Sequence, residues 1–361
     1  MSDSPVRVLI ADDSALMRQT LRRVLERAGG FELLGTARDG EDAVAKAREL
    51  RPDVVTMDVN MPRLDGISAL QLLVHERLCP VVMVSSLTQA GALTTLECLE
   101  LGAFDYVGKP DGTVSGNLDN VAGELVAKLR AAARAGLPEV LQARRARLQD
   151  RPHPPARPAA PRRDGMVDRV VTIGVSTGGP ATLQEVLPRL PADLPAAVLL
   201  VQHMPPAFIP SFARRLDEHA ALRVVVAEEG MPLEAGTVFV APGQRQLAVD
   251  RRGGRAVLRT PAEPRTLFMP SAGEMMRSVR EAYGAAAVGV LMTGIGDDGA
   301  EEMARLRAVG GHTIAESEAS CVVFGMPRRA IELGGAAEVR PSWEIADAIV
   351  RAVARPLARA S

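Results

Sequence analysis

Short apolar runs rich in branched residues recur in the first part of the chain, at Val6 to Ile10, Val54 to Met57, Val81 to Val84 and Phe104 to Val107. Each has the length and continuity of a strand buried on both faces. The segments between them are longer and carry apolar residues at helical spacing, as at Leu16, Leu21, Val24 and Leu25. That alternation predicts a parallel sheet wrapped by helices. The same grammar returns at Val170 to Val175, Ala197 to Val201, Val224 to Ala227, Val238 to Ala241, Val288 to Met292 and Thr313 to Ala315. Both halves therefore read as α/β.

The two patterned regions are separated by a change in composition. From about residue 136 the text becomes LPEVLQARRARLQDRPHPPARPAAPRRDGM, in which Arg, Pro and Ala displace the branched residues that build cores. A chain of 361 residues also exceeds the usual ceiling for one hydrophobic core. The expected division is a first domain over 1–125, a helix end and linker over 126–168, a second domain over 169–356 and a tail over 357–361.

Composition narrows the function classes. Apolar residues make up 47% and charged residues 24%, and the formal net charge is -1, so nothing global draws the chain to nucleic acid or to an acidic membrane. The second half shows no helix-turn-helix grammar, and basic residues crowd into the linker, where they read as solvation. Cys79, Cys98 and Cys321 are too few and too scattered for a disulfide framework or a spaced metal site. The opening MSDSPVRVLIADDS lacks a basic stretch followed by a long apolar one, and no apolar run is long enough to span a bilayer. The expectation is a cytoplasmic protein without membrane insertion.

In a parallel sheet, functional groups collect at the carboxyl ends of the strands. In the first domain these ends are acidic: Asp12 and Asp13 close the first strand, and Asp58 closes the third within MDVNMPRLDG. Three carboxylates brought together repel unless a hard divalent cation such as Mg²⁺ compensates them, and such a cation suits phosphoryl transfer onto a carboxylate oxygen. Ser85 after VVMV and Lys109 after FDYVG add a hydroxyl and a fixed cation at two further strand ends. Taken singly, Asp12 and Asp13 could cap a helix and Lys109 could be a solvated charge; their joint placement favours a site. The segment from Val6 to about Leu125 resembles the receiver domain of two-component response regulators. The resemblance implies a flavodoxin-like, doubly wound parallel sheet, with Asp58 as phosphoacceptor. It implies a Mg²⁺ pocket of Asp12, Asp13, Asp58 and the Asn60 carbonyl, a switch pair of Ser85 and Tyr106, and a phosphate-contacting Lys109.

Three glycine-rich segments of the second domain follow apolar strands. In GVSTGGP, Gly174 and Gly178 flank Ser176 and would let the strand turn sharply into a helix with Pro180 in its first turn; such a turn presents a nucleophile or binds phosphate through helix amides. A serine nucleophile needs a base, and the chain has five histidines. His75 lies in the first domain, His153 in the linker and His219 in the charged helical run RRLDEHA, while His312 opens a strand at the wrong edge. His203 closes the strand AAVLLVQ, where it is either the base or a packed core residue.

The third segment, VGVLMTGIGDDGAEEM, contains a full G-x-G-x-x-G at Gly294, Gly296 and Gly299, and Glu316 or Glu318 follows about twenty residues on, as a dinucleotide site requires. Asp297 and Asp298, however, put two carboxylates where a pyrophosphate would lie. Asp298 is better read as the acid of a Ser, His, Asp triad, held ionised by a helix amino-terminus, with Asp297 as the alternative. A capping box of Asp298 with Glu301 is compatible with that role.

Through GVSTGGP, VQHMPP, VFVAPG, LMTGIGDDGAEEM and ASCVVFGMPR, the segment from about Arg169 to Pro356 resembles the catalytic domain of bacterial chemotaxis protein-glutamate methylesterases. The resemblance implies a second α/β domain with a mainly parallel sheet. It implies a phosphorylation-activated serine hydrolase that demethylates, and deamidates, chemoreceptors and takes its phosphoryl group from a chemotaxis histidine kinase. Ser176 would attack, His203 would shuttle the proton, Asp298 would orient it, and Thr177 and the amide near Ile295 would line the site without any cofactor for the esterase step. In APGQRQL the chain departs from the family's pattern, carrying Gln246 where relatives usually have His, a change expected at the rim of the site.

Overall fold

The computed structural model describes residues 4–86, 88–109, 115–136, 167–252 and 255–356. Most of the Pro/Arg-rich linker, Pro110 and the tail lie outside these residues. The chain divides into two compact units, Met1–Arg145 and Ala146–Ser361.

The first unit runs β1 (Val6–Ala11), α1 (Ala15–Ala28), β2 (Phe31–Ala37), α2 (Gly40–Leu50), β3 (Val54–Asp58), α3 (Gly66–His75), β4 (Val81–Ser85), α4 (Gln89–Leu101), β5 (Asp105–Gly108) and α5 (Ser115–Ala135). Its strands lie in the order β2-β1-β3-β4-β5. Every pairing is parallel. β3 and β4 are buried at every position because helices cover both faces, which is why they read as continuous apolar runs. β2 sits at the sheet edge and is only half-buried, so its sequence FELLGTA carries no such run.

The second unit comprises β6 (Val170–Val175), α6 (Gly179–Val186), β7 (Ala197–Gln202), α7 (Ile209–His219), β8 (Arg223–Val226), β9 (Thr237–Val240), β10 (Ala248–Arg252), β11 (Arg255–Arg259), α8 (Ala272–Tyr283), β12 (Ala287–Leu291), α9 (Ala300–Ala308), β13 (His312–Glu316), α10 (Met326–Glu332), β14 (Glu338–Arg340) and α11 (Ser342–Ala354). Seven strands form a parallel sheet in the order β14-β13-β12-β6-β7-β9-β8, and β10 with β11 makes a separate antiparallel hairpin. From β6 the chain builds one side of the sheet through β7, and it later returns to build the other through β12. The carboxyl ends of β12, β6 and β7 therefore open onto the crevice where the winding reverses, the usual place for a site in such sheets. Beneath it, Met275, Met276 and Val279 of α8 pack with Leu291 of β12 and Met303 of α9, all fully buried.

Candidate functional site

In the first unit, loops after β1, β3 and β5 converge. Asp12 and Asp58 are buried and Asp13 is exposed, and one carboxylate oxygen from each lies within 4.8 Å of the others. Lys109 Nζ stands 2.9 Å from Asp58 Oδ2 and 3.1 Å from Asp12 Oδ2. Its backbone is fixed by donation of Lys109 N–H to the Ser85 carbonyl at 2.7 Å. Burial pushes the Asp58 carboxyl above its ordinary range; Lys109 opposes the rise and the charge of Asp12 adds to it. Burial also works against the Lys109 ammonium, but its bonds to Asp58 and Asp12 outweigh that and raise it. The donor set of hard oxygens around a buried Asp12 fits a divalent cation such as Mg²⁺.

Asp12 and Asp13 do not cap α1: the cap is Ser14, whose Oγ accepts from Met17 N–H at 3.3 Å, and Asp12 Oδ1 instead accepts from Ser14 N–H at 2.8 Å. A side chain at Gly66 would place its Cβ 1.9 Å from the Asp58 carbonyl oxygen, so only glycine lets α3 begin this close to the acidic strand. Ser85 is buried at the end of β4, and Asn60 is exposed two positions beyond Asp58. The Tyr106 ring is buried, with Lys128 Nζ 4.9 Å from its centroid; the same ammonium donates to the Tyr106 carbonyl at 2.6 Å and pairs with Glu124 at 2.7 Å.

In the second unit, Ser176 follows β6 directly and is buried, its N–H donating to the Thr293 carbonyl at 2.9 Å. The turn into α6 uses Gly178 at φ +80°, where a Cβ would also strike Val322 at 2.5 Å. Pro180 occupies the first turn of α6. Gln202, the last residue of β7, spreads its two amide N–H groups between the carbonyls of Ser176 and His203, each at 3.0 Å. One side chain thus ties together the backbones of the two residues that chemistry would pair.

His203 Nε2 lies 2.8 Å from Asp298 Oδ2. Its ring stacks on Phe268 with centroids 4.3 Å apart and planes 2° from parallel. Its Nδ1 is buried without a hydrogen-bond partner, so Ser176 Oγ does not close on it in this structure. Asp298 is saturated with donors: Oδ1 accepts from Ser271 Oγ at 2.7 Å and Gly273 N–H at 3.0 Å, and Oδ2 accepts from Ala272 N–H at 2.7 Å. Burial pushes this carboxyl up, but the bonds from His203, Ser271 and Gly273 outweigh it and hold Asp298 below the usual carboxylate range. An ionised Asp298 can only accept, so Nε2 is the nitrogen that donates to it, and in the neutral tautomer the lone pair is then on Nδ1. Thr177 Oγ1 is likewise buried without a partner beside Ser176, and Ile295 is half-buried on the loop after β12.

Several expectations are corrected by this geometry. Asp298 forms no capping box with Glu301: the cap of α9 is Gly299, without a side-chain bond, and Asp298 serves the amino-terminus of α8 instead. Gln246 is not at a rim but 1% exposed, bonded into the loop that precedes α8. Glu316, the candidate ribose acid, is buried and accepts from Thr293 N–H and Ser320 Oγ, each at 2.8 Å, so it holds the loop's own backbone. Asp297 is exposed and makes no part of the cluster around His203. His312 lies at the other end of its strand, 3.0 Å from Glu338, and His219 is half-buried, donating Nδ1–H to the Arg215 carbonyl at 2.8 Å.

Ser271 and Phe268 were missed by sequence reasoning. Ser271 carried a readable signal, since Ser271 and Glu274 bracket the start of an apolar helical run. Phe268 carried none.

The family model described as CheB methylesterase matches residues 171–349, and the one described as response regulator receiver domain matches residues 8–114. The chain is 52% identical to the protein-glutamate methylesterase/protein-glutamine glutaminase 3 of Syntrophomonas wolfei, across 97% of this chain and 100% of that one. It is 49% identical to the corresponding protein 2 of Carboxydothermus hydrogenoformans, across 97% and 99%. The crystal structure of the Thermotoga maritima CheB methylesterase catalytic domain aligns with a TM-score of 0.50 at 36% identity, covering 51% of this chain and 97% of that one.

Proposed function

The chain belongs to the CheB methylesterase family with a response regulator receiver domain, and on that premise we propose that it is a protein-glutamate methylesterase and protein-glutamine glutaminase switched by phosphorylation of Asp58. The observation that carries the reading is the pair His203–Asp298, 2.8 Å apart, with Nδ1 buried and unengaged at the end of β7, beside the strand that leads into Ser176.

Ser176 Oγ attacks the γ-carbonyl carbon of a glutamyl methyl ester while Nδ1 of His203 takes the hydroxyl proton. Asp298 stabilises the imidazolium through Nε2–H, and the Thr177 hydroxyl with the amide near Ile295 receives the developing oxyanion. Collapse expels methanol, which takes the proton from Nδ1 and leaves an acyl-serine. Water then attacks the acyl carbon, giving its proton to Nδ1, and release of the glutamate carboxylate returns that proton to Ser176. With a glutamine side chain the same sequence expels ammonia.

The receiver supplies the control. A Mg²⁺ held by Asp12, Asp13, Asp58 and the Asn60 carbonyl would neutralise charge as a phosphoryl group passes to the Asp58 carboxylate. Lys109, already 2.9 Å from Asp58, then pairs with the acyl phosphate, Ser85 supplies a hydroxyl to it, and Tyr106 repacks, which shifts the population toward an active form. The substrates are methylated chemoreceptors, the phosphoryl donor is a chemotaxis histidine kinase, and the setting is the cytoplasm, where the activity tunes adaptation. Methanol release from a receptor-derived glutamyl methyl ester, measured with and without a small phosphodonor and Mg²⁺, tests the switch. A rise in the parent chain and none in Asp58→Asn is expected; equal rates with and without donor in the parent overturn it.

A further inference from the structure

Around the candidate triad, the loop that leads into α8 is organised by one buried amide. Gln246 is 1% exposed, and both amide N–H groups and the carbonyl oxygen of its side chain are engaged. Its Nε2 donates to the Pro264 carbonyl at 2.9 Å and to Thr266 Oγ1 at 3.0 Å, and its Oε1 accepts from Ser271 N–H at 2.8 Å. Its backbone N–H is anchored on the Pro261 carbonyl at 2.8 Å. Two of these contacts, to Thr266 and to Ser271, lead on to the imidazole. Thr266 Oγ1 donates in turn to the Phe268 carbonyl, and the Phe268 ring lies flat on His203 at 4.3 Å. Ser271 Oγ donates to Asp298 Oδ1 at 2.7 Å while accepting from Glu274 N–H at 3.2 Å, and Asp298 holds His203 Nε2.

We infer that Gln246 is a positioning residue for the esterase reaction: through Ser271 it sets the Asp298 carboxylate, and through Thr266 and Phe268 it sets the face of the His203 ring. The inference rests on the proposed role of His203 as base. The chemistry of the amide explains why this side chain suits the place. A core-filling hydrocarbon would leave Ser271 N–H and the Pro264 carbonyl without their partner, and a carboxylate could accept from Ser271 but donate to neither Pro264 nor Thr266. Ser271 has a double function: it caps α8, and its hydroxyl fixes the carboxylate that fixes the base.

The test uses the full chain with the variants Gln246→Glu, Ser271→Ala, Ser271→Thr and the double variant Gln246→Glu/Ser271→Ala, turning over a glutamyl methyl ester peptide. Misplacement of the base by a fraction of an ångström lowers kcat, so Gln246→Glu and Ser271→Ala are each expected to lose about tenfold to a hundredfold in kcat with KM held within about twofold. The double variant loses less than the product of the single losses, because both act on Asp298. Ser271→Thr, which keeps the hydroxyl, recovers most of what Ser271→Ala loses. The inference is overturned if a folded Gln246→Glu has a lowered melting temperature but parental kcat, or if the two losses multiply. Should Gln246→Glu not fold, equal kcat in Ser271→Ala and Ser271→Thr overturns it alone. A parent chain inactive on the ester contradicts the esterase reading and not this one, because the rate at which a fluorophosphonate labels Ser176 still reads the alignment of the base across the same variants.

Discussion

His203 turns Nε2 toward Asp298 at 2.8 Å, and this leaves Nδ1, buried and without a hydrogen-bond partner, as the nitrogen free to act as base. The ring orientation is secured from several directions: Phe268 lies flat on one face, Gln202 holds the His203 carbonyl, and Asp298 is itself held by α8. The amino-terminus of α8, capped within its own segment by Ser271, also gives the N–H groups of Ala272 and Gly273 to Asp298. Part of the cost of desolvating the Asp298 carboxylate is thereby offset by the backbone donors of Ala272 and Gly273.

Replacing Asp298 by Asn tests which nitrogen acts. The carboxamide can present N–H to Nε2, which forces the imidazole proton onto Nδ1, where the lone pair is required. The expected result is a loss of about ten thousandfold in kcat on a glutamyl methyl ester with little change in KM, comparable to triad acids elsewhere. A loss under about tenfold would mean that Asp298 serves the helix and not the base.

Lys109→Ala separates phosphorylation from its consequence. The ammonium pairs with both Asp58 and Asp12, so its removal leaves two acids facing one another without their cation. Asp58 is still expected to accept a phosphoryl group from a small donor with Mg²⁺, detected as an acid-stable mass increase, while stimulation of ester hydrolysis is lost. Full stimulation in this variant would remove Lys109 from the switch.

His312 provides a pH signature far from the triad. Its Nδ1 accepts from the Arg355 guanidinium at 2.7 Å, so its proton lies on Nε2, 3.0 Å from Glu338 Oε1. Burial pushes this imidazole below its ordinary value, the charge of Arg355 adds to the effect, and Glu338 opposes it. The unfolded chain therefore takes up this proton at higher pH than the folded one. The stability His312 contributes is complete above about pH 6.5 and is lost as pH falls through the lower folded value. Melting temperatures of His312→Gln are expected to decline less than those of the parent between about pH 7 and 5. Parallel declines would show that the imidazole is not neutral in the folded state.

Much of the architecture was legible because burial on both faces writes a continuous apolar run, as in β3, β4, β6, β7 and β12. β2, β14 and the hairpin of β10 and β11 left no such trace. β2 and β14 are sheet edges, β14 has only three residues, and the hairpin sequence, AVDRR facing RAVLR, is charged because the pair stands apart from the main sheet. At the site, strand ends singled out Ser176 and His203, since a hydroxyl and an imidazole closing apolar runs have few other uses. Asp298 was legible as an acid of the right loop but not in its anchorage: its backbone partner Gly273 is 25 residues away along the chain. Gln246 was misplaced for the same reason. Whether a polar side chain in an irregular loop is buried depends on partners that only the folded chain supplies, here Pro264, Thr266 and Ser271.

The central claim is that Ser176 is the nucleophile of a glutamate methylesterase, and the most direct measurement is methanol release from a methylated chemoreceptor by the phosphorylated full chain and by its Ser176→Ala variant. The parent is expected to release methanol at a rate set by chain concentration, while the variant, still folded and still phosphorylated on Asp58, falls to background. Methanol release by Ser176→Ala at the parental rate would contradict the account.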